Sequence, residues 1–454
     1  MPINHLATQL AKILGNENVS TREADCVRAS RDASDMPPSL PGVVVWPEST
    51  EDVMLVVGMC REHRIPLTAK GTGSSFEGNV IPIKGGLVLD MSRMDAVLEI
   101  RAGDLLCKVQ PGVICDDLDA ALRSHDLNVP MMVGMSHGQA SIGGMVAKNA
   151  VGAYSLKYGG ARSSVLGLTA VTGVGEVVRV GNQCPTSSSG YDLTSLIVGS
   201  EGTLAVITEV TLALCHPPIA IWKSGFTFHT EQECAAAVTD LVAAGIDLAA
   251  CEYLDSKCMA ALNHLRNDEL PLAPALLLEV HKESKSAVAG TVDRIESILR
   301  RNGARVLEVE GDPWALRSSV TTAVRTMQPG SATIRADLAF PLSLFSEVVE
   351  LATMLAASES VQLYTFGHVG MGVLYLHIQE SPDDFVRWEV ANDVKDHVTE
   401  FVVDRGGTCT AGHGVGLGNR RYMQREHGMA VDIMTRVKHA FDPHALLNPG
   451  KILP

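Results

Sequence analysis

The residues whose type and spacing could do chemistry are few. They are the glycine-rich segments Gly71-Thr72-Gly73-Ser74-Ser75 and Ser141-Ile142-Gly143-Gly144, Arg317 in WALRSSVTT, His368 in FGHVGMG and His413 in AGHGVG. Glycine loops beside strands let backbone approach a phosphate-bearing ligand, because no Cβ intervenes and N–H groups are left as donors. The chain has no G-x-G-x-x-G and no G-x-x-x-x-G-K-[ST], which disfavours a Rossmann dinucleotide site and a P-loop; HExxH is absent too. Taken alone, the 71–75 loop is as readily an ordinary β-turn. Imidazole titrates near neutrality and suits proton transfer, although most of the 15 histidines must be surface or core residues. A guanidinium can grip both oxygens of a carboxylate, and Thr321, one helical turn after Arg317, faces the same side. A single Arg on a helix is more often a solvated charge.

Elements must position these residues, and the chain shows three textures. From 42 to 213, short β-branched runs such as VVVWP, GGLVLDM, AVLEIRA and LAVITEVTLAL alternate with glycine turns and the helical stretches EDVMLVVGMCREH and DDLDAALRSH. Pro217 and Pro218 break that pattern. Longer alternations follow, including AACEYLD, ALLLEVH and SAVAGTVDRIESILRRNG, as expected for a sheet layered with helices. A third texture begins near Gly406 and contains a helix at 429–441. With 37 Lys+Arg against 52 Asp+Glu, the net charge of −15 argues against a nucleic-acid or anionic-membrane partner. The ten cysteines form no C-x-x-C pair, so neither a zinc knuckle nor a disulfide framework is expected. No signal peptide and no run of about 18 apolar residues is seen, and the expectation is a cytoplasmic protein.

The glycine loops do not stand alone. The segments 66-PLTAKGTGSSFEGN-79, 110-QPGV-113, 141-SIGGMVAKNAVGAYSLKYGGARSSVLGL-168 and 190-GYDLTSLIVGSEGTLAVITEVTL-212 occur in an order and spacing that resembles the FAD-binding domain of the vanillyl-alcohol oxidase superfamily. More narrowly, the chain is similar to the branch of D-2-hydroxyacid dehydrogenases, D-lactate dehydrogenases and glycolate oxidase FAD subunits, from about residue 40 to 454. The resemblance implies an α+β fold: a PCMH-type FAD-binding domain of two subdomains at 1–216 and an α/β cap or substrate domain with an antiparallel sheet at 217–405. A C-terminal segment at 406–454 would return to complete the FAD site. It implies cofactor contacts from Lys70, Gly71, Thr72, Gly73, Ser74, Ser75, Pro111, Gly134, Ser141, Gly143, Gly144, Ala147, Asn149, Gly152, Tyr154, Gly202, Thr203, Ala205, Val206, Ile207 and Asn448. Some relatives tether FAD through a His at the place of Ser74, so the FAD here is expected to be non-covalent. Arg317, Thr321 and Arg335 match substrate-carboxylate positions, and His413 matches the base beside the flavin.

The chain also departs from that branch. Its dehydrogenases usually read G-H-x-G-D-G-N-x-H and later E-H-G, where two His and the Glu bind a divalent metal. Here the blocks are Gly367-His368-Val369-Gly370-Met371-Gly372-Val373-Leu374-Tyr375 and Gly412-His413-Gly414, so only His368 of the three ligands remains. One imidazole is too few for zinc, and a metal-free site is expected. Tyr375 could donate a hydrogen bond to an oxyanion. Met371, Val373 and Gly412 suggest a more apolar, roomier pocket, although Met371 and Val373 could equally be packing residues. The implied function is an FAD-dependent dehydrogenase or oxidase of a hydroxy acid, a D-2-hydroxy acid or a bulkier, less polar analogue, with His413, Arg317, His368 and Tyr375 as catalytic or substrate-binding residues. The alternatives are a non-redox flavin transferase like alkylglycerone-phosphate synthase and a non-catalytic FAD subunit. Electrons would leave to oxygen, a quinone, a cytochrome or an electron-transfer flavoprotein, and a homodimer is a family-level expectation.

Overall fold

The computed structural model describes residues 3–132 and 140–454, divided into two compact units. The first comprises 1–151, 159–217 and 412–454; the second comprises 152–158 and 218–411. The sequence suggested divisions at 216/217 and 405/406. The second division falls later because Thr408 and Thr410 bridge to Ala339 and Asp337 of the second unit.

The first unit holds two sheets. Strands β1 (Val19–Ser20), β2 (Val43–Val45), β3 (Leu67–Lys70) and β4 (Leu87–Asp90) form a four-stranded sheet in the order β1-β2-β4-β3, parallel except for the β1–β2 pair. Val43, Val44 and Val45 are all buried, as continuous apolar runs in parallel sheets should be. The helix Thr50–His63 covers this sheet with Val53, Val56, Val57 and Cys60, a three-and-four spacing. It starts at a capping box in which the Ser49 hydroxyl accepts from Asp52 N and the Asp52 carboxylate accepts from Ser49 N. Strands β5 (Val97–Arg101), β6 (Leu106–Val109), β7 (Val165–Thr172), β8 (Val177–Gly181) and β9 (Ala205–Ala213) form an antiparallel sheet, β5-β6-β9-β7-β8. The chain's end rejoins this unit where Leu447 bridges to Leu67.

The second unit is one antiparallel sheet of seven strands: β10 (Ala220–Thr227), β11 (Ala250–Leu254), β12 (Ala275–Lys282), β13 (Arg305–Leu307), β14 (Ala332–Ala339), β15 (Gln362–Gly367) and β16 (Val373–Glu380). Their order is β13-β10-β12-β11-β15-β16-β14. One face carries Leu276, Leu278, Tyr253, Ile334, Leu338, Leu374 and Leu376 and packs against the helices Glu231–Ala243, Lys285–Arg301, Phe345–Ser358 and Phe385–Asp404. On the other face Leu254, Leu277, Phe366 and Tyr375 meet the helices Ser256–Arg266 and Trp314–Met327. Side chains alternate along a strand, so this second face also receives Glu252, Arg335, Asp337 and His377. Polar groups thus line one side of a sheet whose other side is apolar.

Candidate active site

In the first unit the two glycine segments come together. A groove with about 880 Å³ of empty volume is lined by Lys70, Gly71, Thr72, Gly73, Ser74 and Ser75 from the loop after β3, and by Pro111, Ser141, Gly143, Gly144 and Ala147. Gly202, Ala205, Val206 and Ile207 at the start of β9 complete it, with Asn79, Lys148 and Glu201 also in the wall. The glycines are required by contact. A Cβ on Gly71 would stand 2.4 Å from Ser141 Oγ, and one on Gly143 would stand 2.4 Å from Pro111 Cβ and 2.9 Å from its carbonyl oxygen. Ser141 opens the short helix Ile142–Ala147, its hydroxyl accepting from Gly144 N. Lys70 lines the groove, but its ammonium donates to the carbonyls of Arg28 and Arg31 at 3.0 and 2.7 Å, so it braces the loop; burial lowers its pKa. The backbone-lined channel and the hydroxyls of Thr72, Ser74 and Ser75 fit an extended dinucleotide such as FAD.

The other residues expected around the cofactor are not among those that line the groove. Gly134 falls outside the described residues. Asn149 accepts from Arg162 N, Thr203 donates to the Ser200 carbonyl, and Asn448 donates to the carbonyls of Asn79 and Glu201. Gly152 and Tyr154 belong to the second unit, where the Tyr154 hydroxyl donates to Glu279 Oε2 at 2.7 Å and its ring stacks on His281.

Sequence reasoning did not single out Glu201. This buried carboxylate accepts from Asn79 Nδ2 at 2.7 Å, Val415 N at 2.6 Å and Gly416 N at 2.9 Å, and burial raises its pKa. It ties the groove wall to the 412–416 loop. His413 on that loop lies edge-on to Phe76, with ring centroids 5.3 Å apart, and its carbonyl accepts from Asn79 Nδ2. The first glycine loop and the His413 loop are therefore joined within one unit. Gly412 opens no room there, since a Cβ would fall 2.4 Å from Val151 Cγ2.

The second unit gathers the other expected residues around one that sequence reasoning missed. Glu252, on β11 and fully buried, accepts from Arg317 Nε at 2.6 Å through one oxygen and pairs with His368 Nδ1 at 2.6 Å through the other. His368 sits at the bend between β15 and β16, and its Nε2 lies 2.9 Å from the Tyr375 hydroxyl. Gly372 closes that bend at φ +69°, and a Cβ there would lie 2.1 Å from the Phe340 carbonyl oxygen. The Arg317 guanidinium lies 5.1 Å from the Phe366 ring centroid and 5.9 Å from that of Tyr375, within cation–π range. Burial pushes the Glu252 carboxyl up, but the facing charges of His368 and Arg317 outweigh it and hold the group below its ordinary value. Burial, reinforced by Asp337, keeps the Tyr375 phenol well above its ordinary range. Thr321 is half-buried one turn along from Arg317, and Arg335 is buried on β14 opposite His377, with Nη1 donating to the Thr333 carbonyl. Among the described residues no three His, Cys, Asp or Glu side chains converge as a metal centre. Both His368 nitrogens are engaged by protein groups.

Comparison with known proteins places this geometry. Residues 41–181 match the FAD binding domain family and residues 223–452 match the FAD linked oxidases, C-terminal domain. The chain belongs to the FAD-linked oxidases and is an FAD-dependent oxidoreductase. It is 31% identical to a probable mitochondrial D-lactate dehydrogenase of Danio rerio, covering 99% of this chain and 92% of that one. It is also 31% identical to the glycolate oxidase subunit GlcD of Bacillus subtilis, covering 98% and 96%. Among solved structures it resembles p-cresol methylhydroxylase at a TM-score of 0.83 and 16% identity, covering 99% of this chain and 96% of that one. An alkyldihydroxyacetonephosphate synthase follows at 0.75 and 17%, covering 98% and 85%. These two likenesses establish the PCMH-type fold. Among the described residues no helix is long and apolar enough to cross a membrane.

Proposed function

We propose that the protein dehydrogenates the alcohol carbon of a hydroxy acid, a D-2-hydroxy acid or a bulkier, less polar analogue, without an active-site metal. The observation that carries this reading is the Arg317–Glu252–His368–Tyr375 cluster, which sets a fixed cation beside hydrogen-bonding groups on a face framed by Phe366. The names of the relatives, D-lactate dehydrogenase and glycolate oxidase subunit, support the same substrate class.

Bound FAD, held by the groove between the two glycine segments, would accept the hydride. The chain's own residues do the rest. Arg317 holds the substrate carboxylate, and Thr321 and Arg335 flank or support that anchor. His413 takes the hydroxyl proton, for which a neutral imidazole is suited. Tyr375, held at its hydroxyl by His368, donates to the oxygen as it loses that proton. The alcohol loses two electrons and two hydrogens and leaves as a carbonyl, and an external electron acceptor is then needed. The metal-free reading is supported by the replacement of two of the three expected ligand positions by Tyr375 and Gly412, and by the engagement of both His368 nitrogens.

Anaerobic mixing of the FAD-loaded protein with a panel of D- and L-hydroxy acids tests this. Persistent loss of the visible flavin absorbance with at least one D-hydroxy acid, unaffected by a chelator, is expected. No bleaching by any member overturns the reading, and bleaching abolished by chelator overturns its metal-free part.

A further inference from the structure

We propose that Glu252 is a positioning residue that sets Arg317 and His368 as one unit for end-on capture of a carboxylate; this rests on the reading of Arg317 as the substrate anchor. An arginine has three edges from which to donate, and a carboxylate can bind side-on through Nε and one Nη or end-on through both Nη groups. Glu252 accepts from Nε at 2.6 Å, which closes the side-on edge to any substrate. It is the one ion-pair partner of Arg317 among the described residues. The Phe366 and Tyr375 rings lie 5.1 and 5.9 Å from the guanidinium carbon, and with Nε taken the Nη edge is the one left for a carboxylate.

The second oxygen of Glu252 fixes the histidine. A carboxylate only accepts, so the hydrogen bond at His368 Nδ1 requires the proton on that nitrogen. Nε2, 2.9 Å from the Tyr375 hydroxyl, then fixes where that phenol stands. Removal of Glu252 would release both constraints at once: Arg317 could rotate and His368 could change tautomer. Glu252 is on a central strand with no exposed surface, between β12 and β15.

Calorimetric titration of the FAD-loaded protein with pyruvate and phenylpyruvate, as 2-oxo acid probes, tests the assignment. Glu252→Gln should weaken binding about tenfold or more. Glu252→Asp keeps the charge but is one methylene too short to reach both Nε and Nδ1, and should also weaken binding several-fold. In an Arg317→Met background, the added Glu252→Gln change should alter affinity by clearly less than in the parent, because its effect on the carboxylate runs through the arginine and only the His368 part remains. That double variant removes both charges together and leaves no unpaired ion buried, so it should fold even where Glu252→Gln does not. Wild-type affinity in Glu252→Asp, or an equal loss in the presence and absence of Arg317, would overturn the proposal. Probe binding that obeys this pattern without flavin bleaching by any hydroxy acid sinks the dehydrogenase reading and leaves the role of Glu252 standing. Bleaching with an unaltered Glu252→Asp affinity does the reverse, and a wild-type protein that binds neither probe sinks both.

Discussion

Gly412 occupies the position where metal-dependent members of the branch are expected to carry a ligand, and its surroundings decide what a side chain there would do. A Cβ would stand 2.4 Å from Val151 Cγ2 and 3.4 Å from Val151 N, so Gly412→Glu must displace Val151 before any carboxylate can point at a substrate. The cost expected from such overpacking is about 1–3 kcal/mol, read as a lower melting temperature. Adding Val151→Gly should return part of that loss; a Gly412→Glu protein that melts like the parent would show that the contact is not rigid. The same scale explains which of the proposed catalytic groups could be read in the sequence. Arg317, His368 and Tyr375 lie in short local patterns, so spacing and resemblance reach them. Glu252 is 65 residues from Arg317 and 116 from His368, and in AACEYLD it looks like any acid on a strand. Only the pairing of β11 with β12 and β15 turns it inward. Glu201 was hidden for the same reason, since its partners Val415 and Gly416 are more than two hundred residues away.

At the scale of elements, β-branched runs and three-and-four periodicity located most strands of the first unit and the strands of the second up to β13, because these patterns are local; β14, β15, β16 and the helices Phe345–Ser358 and Phe385–Asp404 were not among them. The order β13-β10-β12-β11-β15-β16-β14 was not legible, since nothing local says that β14 joins the far side of β16. Nor does any pattern assign 152–158 to the second unit; that follows from Tyr154 and Tyr158 bonding to Glu279 and His281 on β12. One joint between elements carries a pH dependence. Glu231, in the first turn of the helix Glu231–Ala243, accepts from the Tyr253 hydroxyl on β11. Burial, aided by nearby Asp255, raises its pKa from 4.5 to about 7 despite that bond. The folded state therefore holds a proton that the unfolded chain releases between about pH 4.5 and 7. Stability must fall as pH rises through this window, by up to about 3 kcal/mol. Thermal unfolding at pH 5 and pH 8 should show the loss in the parent protein. Glu231→Gln should show a clearly smaller loss, and an unchanged difference would mean that other groups set the slope.

On the scale of the whole molecule, the chain passes between its units at 151/152, 158/159, 217/218 and 411/412, yet each unit has its own hydrophobic cores. Every residue lining the cofactor groove belongs to the first unit, and every member of the Arg317–Glu252–His368–Tyr375 cluster belongs to the second. A ligand stabilises only what it binds in the native state, by RT ln(1 + [L]/Kd), or about 2.7 kcal/mol at about a hundred times Kd. Ser74 stands where a covalent tether would need His, so acid precipitation should leave the flavin in the supernatant and gentler stripping should yield an apoprotein that can be reloaded. Calorimetry of the stripped protein should then resolve two transitions, of which added FAD raises one and leaves the other in place. Glu231→Gln identifies them, because at pH 8 it should move the transition that FAD does not. A single transition that FAD and Glu231→Gln both move would show instead that the two units unfold together, and that cofactor binding in the first stabilises the face of the second that carries the proposed substrate anchor.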